Sequence, residues 1–341
     1  MRETVTTMRE SIIEHKKALS YNELTDKRGG ANMKKPRSKA ISNLWKYRYL
    51  TLMMLPAVVV LIIHSYLPMF GVFIAFKNVN YVDGIWGSPW AGFDNFHFLF
   101  QSDSLWRITR NTIGYSLAFL VINLILSVVI AVALNELRSR FVGKLYQSIL
   151  LMPHFLSMVV VSYLVYAFLN PTQGFMNTTV LDWLGIDPKF WYSEKDYWPF
   201  ILILVNAWHG IGIGAIIYIA AIAGIDPEYY EAAVIDGASK RKQILHITLP
   251  SIQPVMIILT ILQIGKILNA DFGLFYQVTL DTGMLYPTTD VIDTYVYRSL
   301  LELNDIGMSS AAAFMQSVIG FVLVIVTNMA VRKLNRDQAL F

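Results

Sequence analysis

Cysteine is absent from the 341 residues, which excludes disulfides, thiolate zinc sites and cysteine nucleophiles and leaves the redox compartment open. Charge is scarce as well: Asp, Glu, Lys and Arg make up 15% of the chain, against about 25% in a typical soluble domain. No G-x-x-x-x-G-K-[ST] phosphate loop occurs, so the chain carries no Walker-type nucleotide cradle of its own. The histidines (His15, His64, His97, His154, His209 and His246) are scattered without H-E-x-x-H spacing, which argues against a metal-dependent membrane enzyme. Between the apolar runs no segment exceeds about sixty residues, too few for a sizeable soluble domain.

What fills the chain is apolar surface. Hydrophobic residues make up 55% and the mean hydropathy is +0.47, which points to an all-α integral membrane protein. The net charge of +4 and pI near 9.0 come from short basic blocks beside apolar runs, a pattern of membrane topology rather than nucleic-acid binding. A spanning helix needs about 20 apolar residues, and six stretches are of that size: Thr51–Phe76, Thr112–Leu134, Ile149–Leu169, Tyr197–Ile225, Ile252 to about Leu268, and Ser310–Val331. Pro56 and Pro68 are expected to end or kink the first. The first run lies behind about fifty polar residues, too far in for an ordinary secretory signal, and reads as a retained anchor. Residues 1–32, ahead of Met33, are polar and expected to be disordered.

Lysine and arginine set the orientation. One face carries the basic tail, Arg138, Arg140, Lys144, Lys240, Arg241, Lys242, Arg332, Lys333 and Arg336. The other mixes fewer basic residues with many acidic ones, including Asp187, Asp281 and Asp290. Both termini are therefore expected in the cytoplasm. The division expected is a basic tail over residues 1–48, a transmembrane domain over 49–334 and a short tail over 335–341.

The polar block at 226–250 lies between two apolar spans and cannot sit in hydrocarbon, because a single charge at a span's centre costs about 2.5 to 3.5 kcal/mol. Its local signals are clear. Asp226 fits an N-cap, Pro227 the first helical position and Glu228 the positive end of the helix dipole, so a helix is expected to run to Ile235. Gly237 permits a turn, and Ser239 is expected to cap a second helix reaching Leu245, before Pro250 opens the next span.

This block, with Glu231-Ala232-Ala233, Asp236-Gly237-Ala238 and Ile247-Thr-Leu249-Pro250, resembles the EAA loop of bacterial ABC importer permeases, in its carbohydrate form. Gly92 to Phe96 (Gly-Phe-Asp-Asn-Phe), Leu151 to Ser157 (Leu-Met-Pro-His-Phe-Leu-Ser) and Asp290-Val-Ile-Asp-Thr-Tyr-Val-Tyr297 are similar to the oligosaccharide and polysaccharide-fragment subgroup. Ile244 departs from the phenylalanine common in the sugar branch, though a hydrophobic plug survives the change. The resemblance covers about Lys46 to Leu334 and implies a type I importer permease in the bacterial cytoplasmic membrane. It implies a second homologous permease, two ATPase subunits holding ATP and magnesium, and an extracellular solute-binding lipoprotein that delivers an oligosaccharide. No cofactor is expected on this chain itself. ATPase coupling is implied for Glu231, Ala232, Ala233, Asp236, Gly237, Ala238, Ile244, Leu249 and Pro250.

In that family the helices before and after the loop line the sugar cavity, which points here to Asn206, Trp208, His209, Gly210, Gln263, Lys266 and Asn269. Amides exchange hydrogen bonds with hydroxyls, an indole covers a pyranose face, and an ammonium can pair a uronate. Each has a blander reading: Asn206 bonding a neighbouring helix, Trp208 facing lipid, His209 packed, Lys266 paired with Asp271. The last is the favoured reading of Lys266. Gly210, Gly212 and Gly214 read as a small-residue packing stripe rather than a nucleotide fingerprint. The alternatives are a permease for an amino acid, peptide or ion, and an ion-coupled secondary transporter, which has no need of a docking loop.

Overall fold

The computed structural model describes residues 46–80, 82–101, 104–137, 139–302, 304–334 and 339–340. Expectations about residues 1–45, Arg138 and residues 335–338 lie outside the described residues. The chain divides into two units, Met1–Pro68 and Met69–Phe341. In the first, helix α1 (Arg48–Leu61) runs through Pro56 without ending there and passes into a π-turn at Ile62–Tyr66. None of its described residues is buried, as expected of an apolar helix whose solvent is lipid.

The second unit contains α2 (Gly84–Gly87), α3 (Asp94–Gln101), α4 (Ser104–Asn135), α5 (Arg140–Leu151), α6 (Met158–Leu169) and α7 (Trp198–Ala223). These are followed by α8 (Pro227–Ile235), α9 (Lys240–Gln243), α10 (Leu249–Ile264), α11 (Tyr286–Thr289), α12 (Ile292–Glu302) and α13 (Ile306–Leu334). Among the described residues there are no strands, only an isolated antiparallel bridge between Lys77 and Trp90.

Among the described residues five continuous stretches are long and apolar enough to cross a membrane: Arg48–Phe76, Ser104–Asn135, Lys195–Ala223, Lys240–Gly265 and Ile306–Lys333. The expected third span is not one straight helix. It is a broken pair, Phe141–Phe155 and Met158–Leu169, bent by 97°. The break has a local cause in the Leu-Met-Pro-His-Phe-Leu-Ser run: Pro153 sits in a 3₁₀ turn (Met152–Phe155), and the Ser157 hydroxyl accepts from Val160 N at 3.4 Å to start α6 afresh. The expected fifth span also shifts. It ends at Gly265 rather than near Leu268, and it begins inside the polar block because α9 continues through a π-turn at Ile244–Thr248 into α10.

Glycine contacts hold the helices close. A Cβ on Gly212 would collide with the Leu150 carbonyl, and one on Gly214 with the Ser127 side chain, so α7 lies against both the end of α5 and the middle of α4. Gly212 and Gly214 of the stripe thus pack helices, while Gly210 meets no neighbour within 4 Å. The main core joins Phe119 of α4, Val161 of α6, Trp198 and Leu202 of α7, and Phe275 and Leu285 from the connection after α10.

Candidate functional site

Two polar constellations lie toward opposite ends of α4, whose 32 residues span about 48 Å at 1.5 Å per residue. Toward its C-terminal end is the α8–α9 surface. Asp226 accepts from Glu228 N at 3.0 Å, Pro227 occupies the first turn, and α8 ends at Ile235, all as the sequence suggests. The end is a Schellman motif: Gly237 N donates to Val234 O at 3.0 Å, Ala238 N to Ala233 O at 2.8 Å, and Gly237 has φ of +73°. The Asp-Gly-Ala sequence is therefore the helix stop itself.

The second cap differs from expectation. Ser239 stands at the N-cap of α9 but its hydroxyl makes no capping bond, and the helix does not stop at Leu245. The turn is held instead by buried Gln243, whose Nε2 donates to Ala238 O at 3.1 Å. Tyr230 and Thr248 share a hydroxyl bond of 2.9 Å that ties α8 to the π-turn, and Lys240 Nζ meets Glu136 at 3.4 Å beyond α4. Glu231, Ala232, Asp236, Gly237 and Pro250 are exposed, while Ala233, Ala238, Ile244 and Leu249 are half-buried beneath them. Beside Glu231 the surface carries bare apolar side chains, Tyr229, Val234 and Ile235, the last 86% exposed. Sequence reasoning passed over those three.

The residues expected near a sugar do not form one cluster. Gln263 lines a cavity of about 250 Å³ with Asn123 and Ser127 of α4, Tyr218 of α7 and Thr260 of α10. Asn206 reaches the same region indirectly, its Oδ1 accepting from Asn123 Nδ2 at 2.9 Å. Trp208 instead lines an apolar groove of about 550 Å³ with Phe168, Trp191 and Leu204, whose lining carries no charged, amide or hydroxyl side chain. His209 Nε2 lies 3.2 Å from Leu156 O at the α5–α6 break, its ring 5.5 Å from that of His154. Gly210 has open space where a side chain would be. Lys266 and Asn269 are exposed in the turn after α10.

The favoured pairing of Lys266 with Asp271 does not form. Lys266 has no ion pair among the described residues, and the Asp271 carboxylate is spent on Leu274 N at 3.1 Å, opening the next helical turn. Asn123 and Ser127 were missed, although two polar residues four apart inside an apolar span are the signal that would have found them.

Toward the N-terminal end of α4 lies the second constellation. Asp290, 1% exposed, takes Arg107 at 3.1 Å, Thr294 Oγ1 at 3.2 Å and the Arg298 guanidinium, which also bonds Asp281 at 2.7 Å. Asn111 Nδ2 donates to Asp290 O at 3.0 Å, and Ile292 N donates to Thr112 Oγ1 at 3.0 Å. Asp293 accepts from Ala270 N at 2.7 Å and, more loosely, from Gln316 at 3.4 Å. Burial pushes its carboxyl above the ordinary range, against the lowering effect of these bonds. The Asp290 to Tyr297 run is thus a knot joining α4, the connection after α10, and α13.

A broken span, small-residue helix crossings and an exposed helix–turn–helix between spans define a multi-pass helical permease. Residues 123–336 match the model of the binding-protein-dependent transport system inner membrane component, and the chain belongs to that family. It is 33% identical over 304 residues to the polygalacturonan/rhamnogalacturonan transport system permease protein YteP of Bacillus subtilis, covering 89% of this chain and 94% of that one. Protein LplB of the same organism is 32% identical over 290 residues, 85% of this chain and 90% of its own. Among solved structures, a bacterial ABC transporter involved in import of the acidic polysaccharide alginate superposes with a TM-score of 0.78 at 33% identity, covering 87% of this chain and all of that one. The fold is that of an ABC importer permease, and the protein is a membrane permease subunit rather than an enzyme.

Proposed function

We propose that this chain forms half of the translocation pathway of an ATP-driven importer for oligosaccharides, with acidic, uronate-containing fragments as the substrate class. The observation that carries the reading is the likeness, over nearly the whole chain, to a polygalacturonan/rhamnogalacturonan permease and to an alginate importer. Residues 49–334 are the transmembrane domain, flanked by tails at 1–48 and 335–341, with both termini in the cytoplasm according to the lysine and arginine bias. A second permease closes the pathway. Two ATPase subunits, which hold the nucleotide and magnesium, grip the α8–α9 surface through Glu231, Gly237 and their neighbours, and an extracellular binding protein delivers the sugar to the opposite face.

The sugar path follows the cavity of Asn123, Ser127, Thr260 and Gln263, whose amides and hydroxyls suit sugar hydroxyls. Asn123 Oδ1 is buried there without a partner in the single chain, a state that costs about 1–3 kcal/mol until something completes it. Lys266, exposed and without an ion pair among the described residues, supplies the cation that a uronate needs. Uptake of a neutral and an acidic oligosaccharide by Lys266→Gln tests this. Selective loss of the acidic substrate, about tenfold for a charge-assisted hydrogen bond, is expected. Equal loss of both would contradict the substrate class.

A further inference from the structure

Lys77 is 6% exposed, yet no carboxylate among the described residues lies within ion-pair distance of it. Its ammonium donates to Ile85 O at 3.0 Å and Trp86 O at 2.9 Å, and the Trp90 ring centre lies 5.4 Å away. Two of three protons are thereby placed, and no anion among the described residues balances the charge. Lys77 also lines a cavity of about 310 Å³ whose other walls include Phe70, Phe73, Ile74, Trp86 and Trp90.

This position is built rather than incidental. Asn95 Nδ2 donates to Ala75 O at 2.9 Å and to Lys77 O at 3.0 Å, while Ala91 N donates to Phe76 O at 2.8 Å. A Cβ on Gly307 of α13 would strike Asn95, so the packing of α13 fixes the asparagine in turn. The Gly-Phe-Asp-Asn-Phe run is therefore the brace that holds Lys77 under its cavity.

The walls decide which anion fits. A sugar site presents several side chains to hydroxyls, whereas this cavity offers one ammonium among aromatic and aliphatic surfaces. Trp86 is 81% exposed and Trp90 66% exposed, directly beyond the apolar stretch that ends at Phe76. Exposed tryptophans at the end of a span mark the level of lipid head groups. We propose that Lys77 holds the phosphate of an anionic phospholipid, with Trp86 and Trp90 flanking the head group and an acyl chain against Phe70 and Phe73. The site is separate from the sugar path and from the ATPase surface.

Native mass spectrometry of the assembled importer released from mixed phosphatidylglycerol and phosphatidylcholine nanodiscs tests the assignment. The wild-type complex retains phosphatidylglycerol about five- to tenfold over phosphatidylcholine, the size of one lysine–anionic lipid contact. Lys77→Gln loses that preference and Lys77→Arg keeps it. Trp86→Ala, a change at an exposed side chain that leaves the lysine in place, weakens retention without lowering the yield of complex. Equal retention of both lipids by the wild type, or an unchanged preference in Lys77→Gln, overturns the proposal. So does displacement of the retained lipid by soluble oligogalacturonate, which would make the cavity a sugar site.

Discussion

The two ends of α4 carry polar residues of opposite kinds. At one end Asp290 is buried, with two arginines and a threonine on its carboxylate. At the other Glu231 is exposed, with no ion pair among the described residues, beside the bare side chains of Val234 and Ile235. A group whose partners lie in its own chain holds the fold together. A polar and apolar surface whose leading helix is capped at both ends but whose side chains are bare is finished for something outside the chain.

The contrast breaks most visibly at Asp290. Asp290→Ala leaves Arg107 and Arg298 facing each other without their shared anion, and removing one member of a buried ion pair costs about 3–5 kcal/mol. The variant is expected to be lost before assembly, seen as absence of a monodisperse peak in detergent chromatography. Normal yield and melting temperature would show the knot to be dispensable.

Gly237→Val acts at the other end and more gently. A β-branched residue forced to φ of +73° costs about 1–2 kcal/mol in the left-handed region. The cost falls on an exposed turn, so the protein inserts normally but α8 no longer stops in register with α9. ATPase co-purification drops while yield is kept, and loss of the protein altogether would mean the turn belongs to the fold rather than to the surface.

The smallest effect sharpens the description of the knot. Burial raises the Asp293 carboxyl, so the folded chain favours its neutral form and its contribution to stability falls as pH rises from about 4, the ordinary carboxylate range, through the raised value. Asp293→Asn keeps an acceptor for Ala270 N and removes that fall. Its melting temperature is expected to gain on the wild type as pH rises toward neutrality; a difference independent of pH would contradict the assignment.

The same contrast explains what could be read from the chain. The α8 surface was legible because its signals are local: Asp226, Pro227 and Gly237 act on backbone within a few residues. Ser239 misled because Gln243, four residues on, took over the turn through a side-chain bond that spacing does not reveal. The six apolar stretches were visible, but the bend at Pro153 and Ser157 was not, since an apolar run has the same composition straight or broken. Lys266 was paired with Asp271 because a lone lysine inside a span usually finds an internal ion pair; it lies instead exposed in the turn after α10, and Asp271 accepts from Leu274 N. Asp290 meets Arg107 from 183 residues away, so its motif was recognisable and its role was not.

The central claim is that the α8–α9 surface, through Glu231, couples this permease to its ATPase. Glu231→Ala changes an exposed side chain and is expected to alter stability by no more than about 0.5 kcal/mol. ATPase stoichiometry and substrate-stimulated hydrolysis, measured on purified complexes reconstituted with this variant, test the claim directly. The account predicts an unchanged amount of inserted permease with reduced bound ATPase and reduced stimulation. Wild-type stoichiometry with wild-type stimulation would contradict it.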